Sequence, residues 1–378
     1  MKKTAEKTGD YLSAIFKQVR PDKLGLKAAE IAKLETYKSF LRVSNLVERI
    51  ILGPLTPAVP TPSKVEFWWE KSKLIHYTSA RTKKKLPTPL LIIPPLMVRP
   101  TIFDLRAGHS FVAYLRQRGI DVFIVDFGIP RKEDKVMAVD DYILDFIPKA
   151  VEKIRQKTGC KEISMLGWSM GGIMTACYVA LNGKDSRVKN EVIIGSPIDY
   201  SKMFPINILA KISNVPLRRF IDLIGNVPGF VSSAAFRLMS PLGLMRRYAE
   251  LAVNYWDREY IAGFEALEKW MKGFIPYPAE AFMQFAEDFI KDDKLKALQV
   301  EMGGKVVDLK NIKISTLVIS GEGDFIAPQP SCDALLDFIS STDKKVIHVS
   351  HGHLGLVAGS GSPATVWQPV ADWLVERS

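Results

Sequence analysis

Met165-Leu166-Gly167-Trp168-Ser169-Met170-Gly171-Gly172 runs from apolar residues through a glycine-flanked serine into small residues, and it reads as strand, tight turn, helix. A G-x-S-x-G sequence in that setting is a nucleophile elbow, whose strained turn holds the serine hydroxyl exposed above a sheet. The glycines are there for steric reasons. At Gly167 and Gly171 a Cβ would collide with the neighbouring strand or helix, and Gly172 continues the close approach. Short Gly/Ser patterns also arise in ordinary turns, so the elbow has to find partners elsewhere in the chain.

A serine hydroxyl is a weak nucleophile until a base takes its proton and an acid orients that base. Working outward from the elbow, short apolar runs recur at Leu74–Tyr77, Leu90–Ile93, Val122–Val125, Ile163–Leu166, Val192–Ile194, Thr316–Ile319 and Val346–Val349, with helical stretches between most of them. This pattern predicts a mostly parallel sheet with helices on both faces. In such sheets ligands bind beyond the carboxyl ends of the strands. Ser320-Gly321-Glu322-Gly323-Asp324 follows one late strand and Ser350-His351-Gly352-His353-Leu354-Gly355 follows the last. The order Ser, Asp, His is that of the α/β-hydrolase fold.

Of the five histidines, His76 and His109 precede the elbow and His348 falls inside a predicted strand, which leaves His351 and His353. His353 is preferred as base because Gly352 and Gly355 free its loop to turn the imidazole over the sheet. Asp324 is preferred as acid, with Glu322 second, while Asp126 precedes the serine and fits the order less well. Two oxyanion donors are expected: the backbone N–H of Met170, and one from the loop Pro94-Pro95-Leu96-Met97, where the prolines have no N–H and Leu96 or Met97 must serve.

The interval between Ile194 and Thr316 lacks strand alternation and reads as helices over Phe204–Ile224, Val231–Met245, Tyr248–Val253, Tyr260–Gly273 and Ala279–Ile290. The expected organisation is a basic amphipathic extension over 1–60, an α/β-hydrolase core over 61–197 and 301–378, and an α-helical lid over 198–300. The lid's Phe, Met and Trp side chains either line an acyl pocket or form the lid's own core, and for most of them the second reading is the plainer one. A further helix should start near Asp140-Asp141 and be kinked or delayed at Pro148.

The 378 residues, 47% apolar and 25% charged, describe a globular chain rather than a disordered one. The net charge is +11, and residues 1–50 hold 11 basic and 6 acidic groups. That excess and the run Arg81–Lys85 could attract an anionic surface or a polyphosphate such as coenzyme A, although a solvated face is the simpler explanation. No nucleic-acid motif accompanies it. Cys160, Cys177 and Cys332 form no C-x-x-C pair, so neither a zinc site nor a disulfide framework is indicated, and a reducing, cytoplasmic compartment is expected. Thr4 to Gln18 has no signal-like apolar core, and no apolar run approaches eighteen residues.

Further motifs carry a family resemblance. Pro94-Pro95-Leu96 with Phe103-Asp104-Leu105-Arg106, Asp126-Phe127-Gly128-Ile129-Pro130 with Asp140-Asp141-Tyr142, Gly303 through Ile312, Asp324-Phe325-Ile326-Ala327-Pro328 and Gly352-His353 together resemble the polyhydroxyalkanoate synthases, particularly the shorter class that works with a second subunit. The resemblance covers roughly residues 60–365 and implies Asp324 as acid and His353 as base. It also implies an acyl ester or acyl-coenzyme A substrate, no cofactor or metal, and a polyester or lipid inclusion surface, a second subunit or a homodimer as partner. One residue departs: those synthases carry cysteine where this chain has Ser169. A thiolate suits repeated thioester exchange, whereas a serine acyl-enzyme is an oxygen ester that water resolves through the histidine. The expectation is a serine hydrolase or acyltransferase with hydrolysis favoured, polymer synthesis as the alternative, and a non-catalytic inclusion-binding module as the reading from another class.

Overall fold

The computed structural model describes residues 28–54, 61–78, 85–203, 217–297 and 299–378. The chain divides into two compact units, one of residues 1–55 and 248–262 and the other of 56–247 and 263–378. The expected helical character of residues 1–27 and 204–216, and most of the basic run 81–85, lie outside the described residues. Lys85 itself is described and pairs with the buried carboxylate of Asp121.

In chain order the elements are α1 (Ala28–Leu52), β1 (Lys64–Trp69), β2 (Ser72–Tyr77), β3 (Leu90–Ile93), α2 (Phe111–Gln117), β4 (Val122–Asp126), α3 (Ile147–Thr158), β5 (Ile163–Trp168), α4 (Met170–Asn182) and β6 (Val188–Ile194). A helical stretch follows: α5 (Leu217–Ile224), α6 (Gly229–Leu238), α7 (Pro241–Val253), α8 (Arg258–Lys272) and α9 (Ala279–Gln284). A two-residue pair, β7 (Glu301–Met302) and β8 (Lys305–Val306), leads back to β9 (Ser315–Gly321), β10 (Lys344–Val349) and α10 (Gln368–Glu376).

Within the smaller unit, α1 is tied to the segment 248–262 by polar contacts. Asn45 Nδ2 donates to the carbonyls of Tyr255 and Trp256 at 3.0 and 3.1 Å, and Arg258 forms a two-pronged pair with Glu48. Asn45 is buried although its helix is mostly exposed, because its amide satisfies carbonyls that would otherwise lack donors.

The larger unit is built on an eight-stranded sheet of order β1-β2-β4-β3-β5-β6-β9-β10. The pairs β1–β2 and β2–β4 are antiparallel and the remainder are parallel. All residues of β3 and of β5 are buried, as strands covered on both faces must be, and this explains the unbroken apolar run of β3 and that of β5, interrupted only by Ser164. The edge strand β1 was not anticipated: its Lys64-Val65-Glu66-Phe67-Trp68-Trp69 is half exposed and lacks such a run.

At Pro148 the chain neither breaks nor restarts. A short turn over Val139–Asp141 opens the helix, with the Asp141 carboxylate accepting from Ala138 N at 2.8 Å. It then widens to a π-turn over Tyr142–Phe146, in which Ile147 N donates to Tyr142 O, and α3 follows with Pro148 in its first turn. The wider turn shifts the backbone pairing just before Pro148, where proline lacks the N–H that a regular helical turn would use.

One buried group sets a pH dependence. Glu191 on β6 is fully buried, and among the described residues its carboxylate accepts one hydrogen bond, from Thr316 Oγ1 at 3.1 Å, so burial pushes its carboxyl up to about 7 from an ordinary 4.5. Between these values the folded chain keeps a proton that the unfolded chain has released. Stability therefore falls as pH rises from about 4.5 to about 7 and is level above that. Glu191→Gln should abolish that slope, so that its stability relative to wild type is greater at pH 8 than at pH 4.5 by up to about 3 kcal/mol, read by denaturant melts of both proteins at the two pH values.

Candidate functional site

Ser169 stands at the turn between β5 and α4 with φ 56° and ψ −128°, a conformation that costs a non-glycine residue on the order of 1–3 kcal/mol. The flanking glycines make the turn sterically feasible. A Cβ on Gly167 would lie 2.4 Å from Gly171 O, and one on Gly171 would lie 2.0 Å from Ile93 O at the end of β3. Both obstacles are backbone, which cannot swing aside. Gly171→Ala is therefore expected to cost more than about 3 kcal/mol or to prevent folding, measured by thermal denaturation against wild type.

The carboxyl ends of β5, β9 and β10 bring three side chains together. His353 Nε2 lies 3.0 Å from Ser169 Oγ, and His353 Nδ1 lies 2.7 Å from Asp324 Oδ2. The second oxygen of Asp324 accepts the backbone N–H groups of Ile326 and Ala327, each at 2.9 Å, which fixes the carboxylate plane. Asp324 and His353 are each 5% exposed, while Ser169 is only partly covered. The chain Asp–His–Ser runs from interior to surface, which leaves the serine hydroxyl within reach of a substrate and within hydrogen-bond reach of its base.

The other residues weighed from sequence lie elsewhere. Glu322 is exposed. Asp126, at the end of β4, pairs with Lys73 at 3.3 Å. His351 Nε2 contacts Thr365 Oγ1 at 2.8 Å, His348 contacts Asp333 at 2.9 Å, His109 contacts Ala358 O at 3.2 Å, and His76 stacks on Phe123 at 4.1 Å. The loop of His353 is held differently from the flexible turn expected: Gly352 and Gly355 are absent from the left-handed residues, and Leu356 N donates to Gly352 O at 3.1 Å to open a helical turn. Position along that turn, rather than glycine freedom, directs the imidazole.

Met170 is the first residue of α4, where N–H groups have no partner within the helix, so its amide is available beside Ser169. The loop after β3 comes close to the same point, because Ile93 O and Pro94 C are the atoms that the missing Gly171 side chain would strike. Leu96 is buried in that loop, and Met97 O accepts from Ile275 N at 3.1 Å.

Aromatic rings that the sequence could not assign surround the imidazole. Trp168 lies 5.2 Å and Phe236 6.0 Å from the His353 ring, and Trp270 lies 6.1 Å from Trp168. Trp270 Nε1 donates to Arg99 O at 2.9 Å. Phe236 and Trp270 come from α6 and α8, so the helical stretch contributes apolar walls directly at the site. Their abundance was visible in the sequence; which of them meets His353 depends on helix packing, which periodicity does not encode.

The chain's buried thiols are not placed to replace the serine. Cys177 and Cys332 are fully buried, and burial pushes the Cys177 thiol up to about 12 and Cys332 well above its usual range. Both are therefore held as inert thiols. Among the described residues no cluster of His, Cys, Asp and Glu could hold a metal ion, and no helix is long and apolar enough to cross a membrane.

Comparison with known proteins bears on this site. Residues 99–356 match the model of the alpha/beta hydrolase fold, and residues 56–115 match that of the poly-beta-hydroxybutyrate polymerase (PhaC) N-terminus. The poly(3-hydroxyalkanoate) polymerase subunit PhaC of Haloarcula marismortui is 31% identical over 341 residues, covering 88% of this chain and 71% of that protein. The chain belongs to the poly(3-hydroxyalkanoate) polymerase family. The PhaC subunit of Allochromatium vinosum is 27% identical over 95% of this chain and 99% of its own length, so this polymerase-family chain is similar in extent to a short member. Among solved structures, a putative lipase from Sulfolobus solfataricus aligns with a TM-score of 0.55 at 15% identity, covering 84% of this chain and 93% of that one, and so supports the fold. This polymerase-family chain is thus an enzyme of the α/β-hydrolase type, an acyltransferase by family.

Proposed function

We propose that this member of the polymerase family transfers acyl groups through a covalent ester on Ser169. In the first step Ser169 Oγ attacks the carbonyl carbon of a hydroxyacyl ester, oligoester or coenzyme A thioester, and His353 Nε2 takes the hydroxyl proton. Asp324 holds the imidazole in the required tautomer and balances the charge it acquires. The backbone N–H groups of Met170 and Leu96 receive the oxyanion, an arrangement worth a few kcal/mol in comparable sites. The C–O or C–S bond then breaks, the leaving alkoxide or thiolate receives the proton from His353, and an acyl-Ser169 ester remains. The observation that carries this reading is the unbroken hydrogen-bonded chain from Asp324 to Ser169 at 2.7 and 3.0 Å.

The second half decides the product. If His353 activates water, free hydroxy acid leaves. If it activates the hydroxyl of another hydroxyacyl group, a chain grows. An oxygen ester on serine is a poorer acyl donor than the thioester that a cysteine would form, and water is the most abundant acceptor, so hydrolysis is the favoured outcome. Polymerisation is the second reading, and the polymerase names of the relatives favour it. Incubating the purified chain with 3-hydroxybutyryl-coenzyme A separates the two. Release of coenzyme A with stoichiometric free 3-hydroxybutyrate is expected, and insoluble polyester would overturn the preference for hydrolysis.

In this reading residues 198–300 act as a helical lid on a core of 61–197 and 301–378, which accords with Phe236 and Trp270 reaching the imidazole's surroundings. Residues 1–60 form a basic extension suited to an inclusion surface or a partner subunit in the cytoplasm. The chain needs no cofactor for this chemistry, since the serine, the base and the oxyanion donors all come from the polypeptide.

A further inference from the structure

Tyr277 is 3% exposed, and its phenol donates to Met170 Sδ at 3.1 Å. That pairing is chemically unequal, because a phenol is a good donor and a thioether sulfur is a weak acceptor. A buried donor left on a poor acceptor forfeits much of the stabilisation that a carbonyl or hydroxyl oxygen would return. The ring cannot turn away to find a better one. Tyr277 and Val227 exchange both backbone hydrogen bonds at 2.8 and 2.9 Å, Phe282 packs edge-on against the ring at 5.7 Å, and Asn226, next to Val227, is tied to Arg131 O at 2.6 Å. A second phenol in the same buried cluster, Tyr200, has no hydrogen-bond partner for its hydroxyl among the described residues. The interior beside the elbow therefore carries donor capacity that the protein itself does not use.

The sulfur that Tyr277 contacts belongs to the residue that directly follows Ser169. An acyl chain esterified to Ser169 Oγ starts one residue away from this phenol, and the methionine between them is unbranched and able to move aside. We propose that Tyr277 is a specificity residue whose O–H donates to the 3-oxygen of a bound 3-hydroxyacyl chain, exchanging the thioether for an oxygen acceptor. This rests on acyl transfer through Ser169 as proposed above. It explains how a site walled by Trp168, Phe236 and Trp270 could distinguish a 3-hydroxyacyl group from a plain fatty acyl group of the same length, which apolar walls alone do poorly.

The test is a two-by-two comparison of wild type and Tyr277→Phe on aryl esters of 3-hydroxybutyrate and of butyrate. The ratio of kcat/KM between the two esters cancels any loss of folded protein. Wild type is expected to prefer the hydroxylated ester, and Tyr277→Phe to lower kcat/KM for it about tenfold while leaving the butyrate ester within about twofold. Equal losses on both esters would reduce Tyr277 to a support for Met170 and overturn the proposal, as would an unchanged preference. Wild-type turnover of the butyrate ester, blocked by a serine-directed fluorophosphonate, tests the acyl-serine reading separately. A failure there is therefore distinct from a failure of the Tyr277 assignment.

Discussion

Ser169→Ala is expected to lower kcat for aryl-ester turnover by roughly 10⁴- to 10⁶-fold with little change in fold, as measured by initial rates and circular dichroism on the same sample. The size follows from what the hydroxyl does. Ser169 Oγ is the atom 3.0 Å from His353 Nε2, and neither Cys177 nor Cys332 can substitute, since both thiols are buried and protonated. The fold should survive, because alanine removes only the hydroxyl and the backbone at φ 56° is already held by the elbow's close contacts. Residual rate would come from the oxyanion donors and from binding. A variant retaining more than a tenth of wild-type kcat would place the nucleophile elsewhere.

Asp324→Asn should cost about 10⁴-fold in kcat, and the reason lies in the hydrogen bonds around the carboxylate. One Asp324 oxygen accepts from Ile326 N and Ala327 N, both at 2.9 Å. Those two donors require an oxygen, so the amide of an asparagine would place its carbonyl there and its NH₂ toward His353 Nδ1. Nδ1 would then have to accept, the imidazole proton would sit on Nε2, and Nε2 could no longer take the serine proton. A similar tautomer reversal in a Ser-His-Asp hydrolase lowers kcat by about 10⁴. Stopped-flow turnover of the aryl ester checks it, and a loss below about tenfold would mean that Asp324 does not set the tautomer.

The sheet was legible because its central strands are covered on both faces, so Leu90–Ile93 is wholly apolar and Ile163–Trp168 is interrupted only by Ser164. The edge strand Lys64–Trp69 escaped because an exposed face admits lysine and glutamate and dilutes the pattern. Asp324 and His353 could be picked out because chain order and strand ends are linear properties of the sequence. The π-turn at Tyr142–Phe146 was legible only as an awkward proline, since the sequence marks a conflict without saying how the backbone resolves it. Phe236 and Tyr277 were indistinguishable from the other aromatics of a helical stretch rich in them. What singles them out, a ring 6.0 Å from His353 and a phenol on Met170 Sδ, arises from tertiary packing between distant segments.

The central claim is that the acyl group is carried on Ser169, and covalent capture tests it most directly. Folded protein treated with a fluorophosphonate, digested and mapped by mass spectrometry should carry the label on Ser169 alone, with labelling lost in Ser169→Ala and slowed at least roughly a hundredfold in His353→Gln. Absence of label on Ser169 in a folded sample, or label on another residue, would contradict the account.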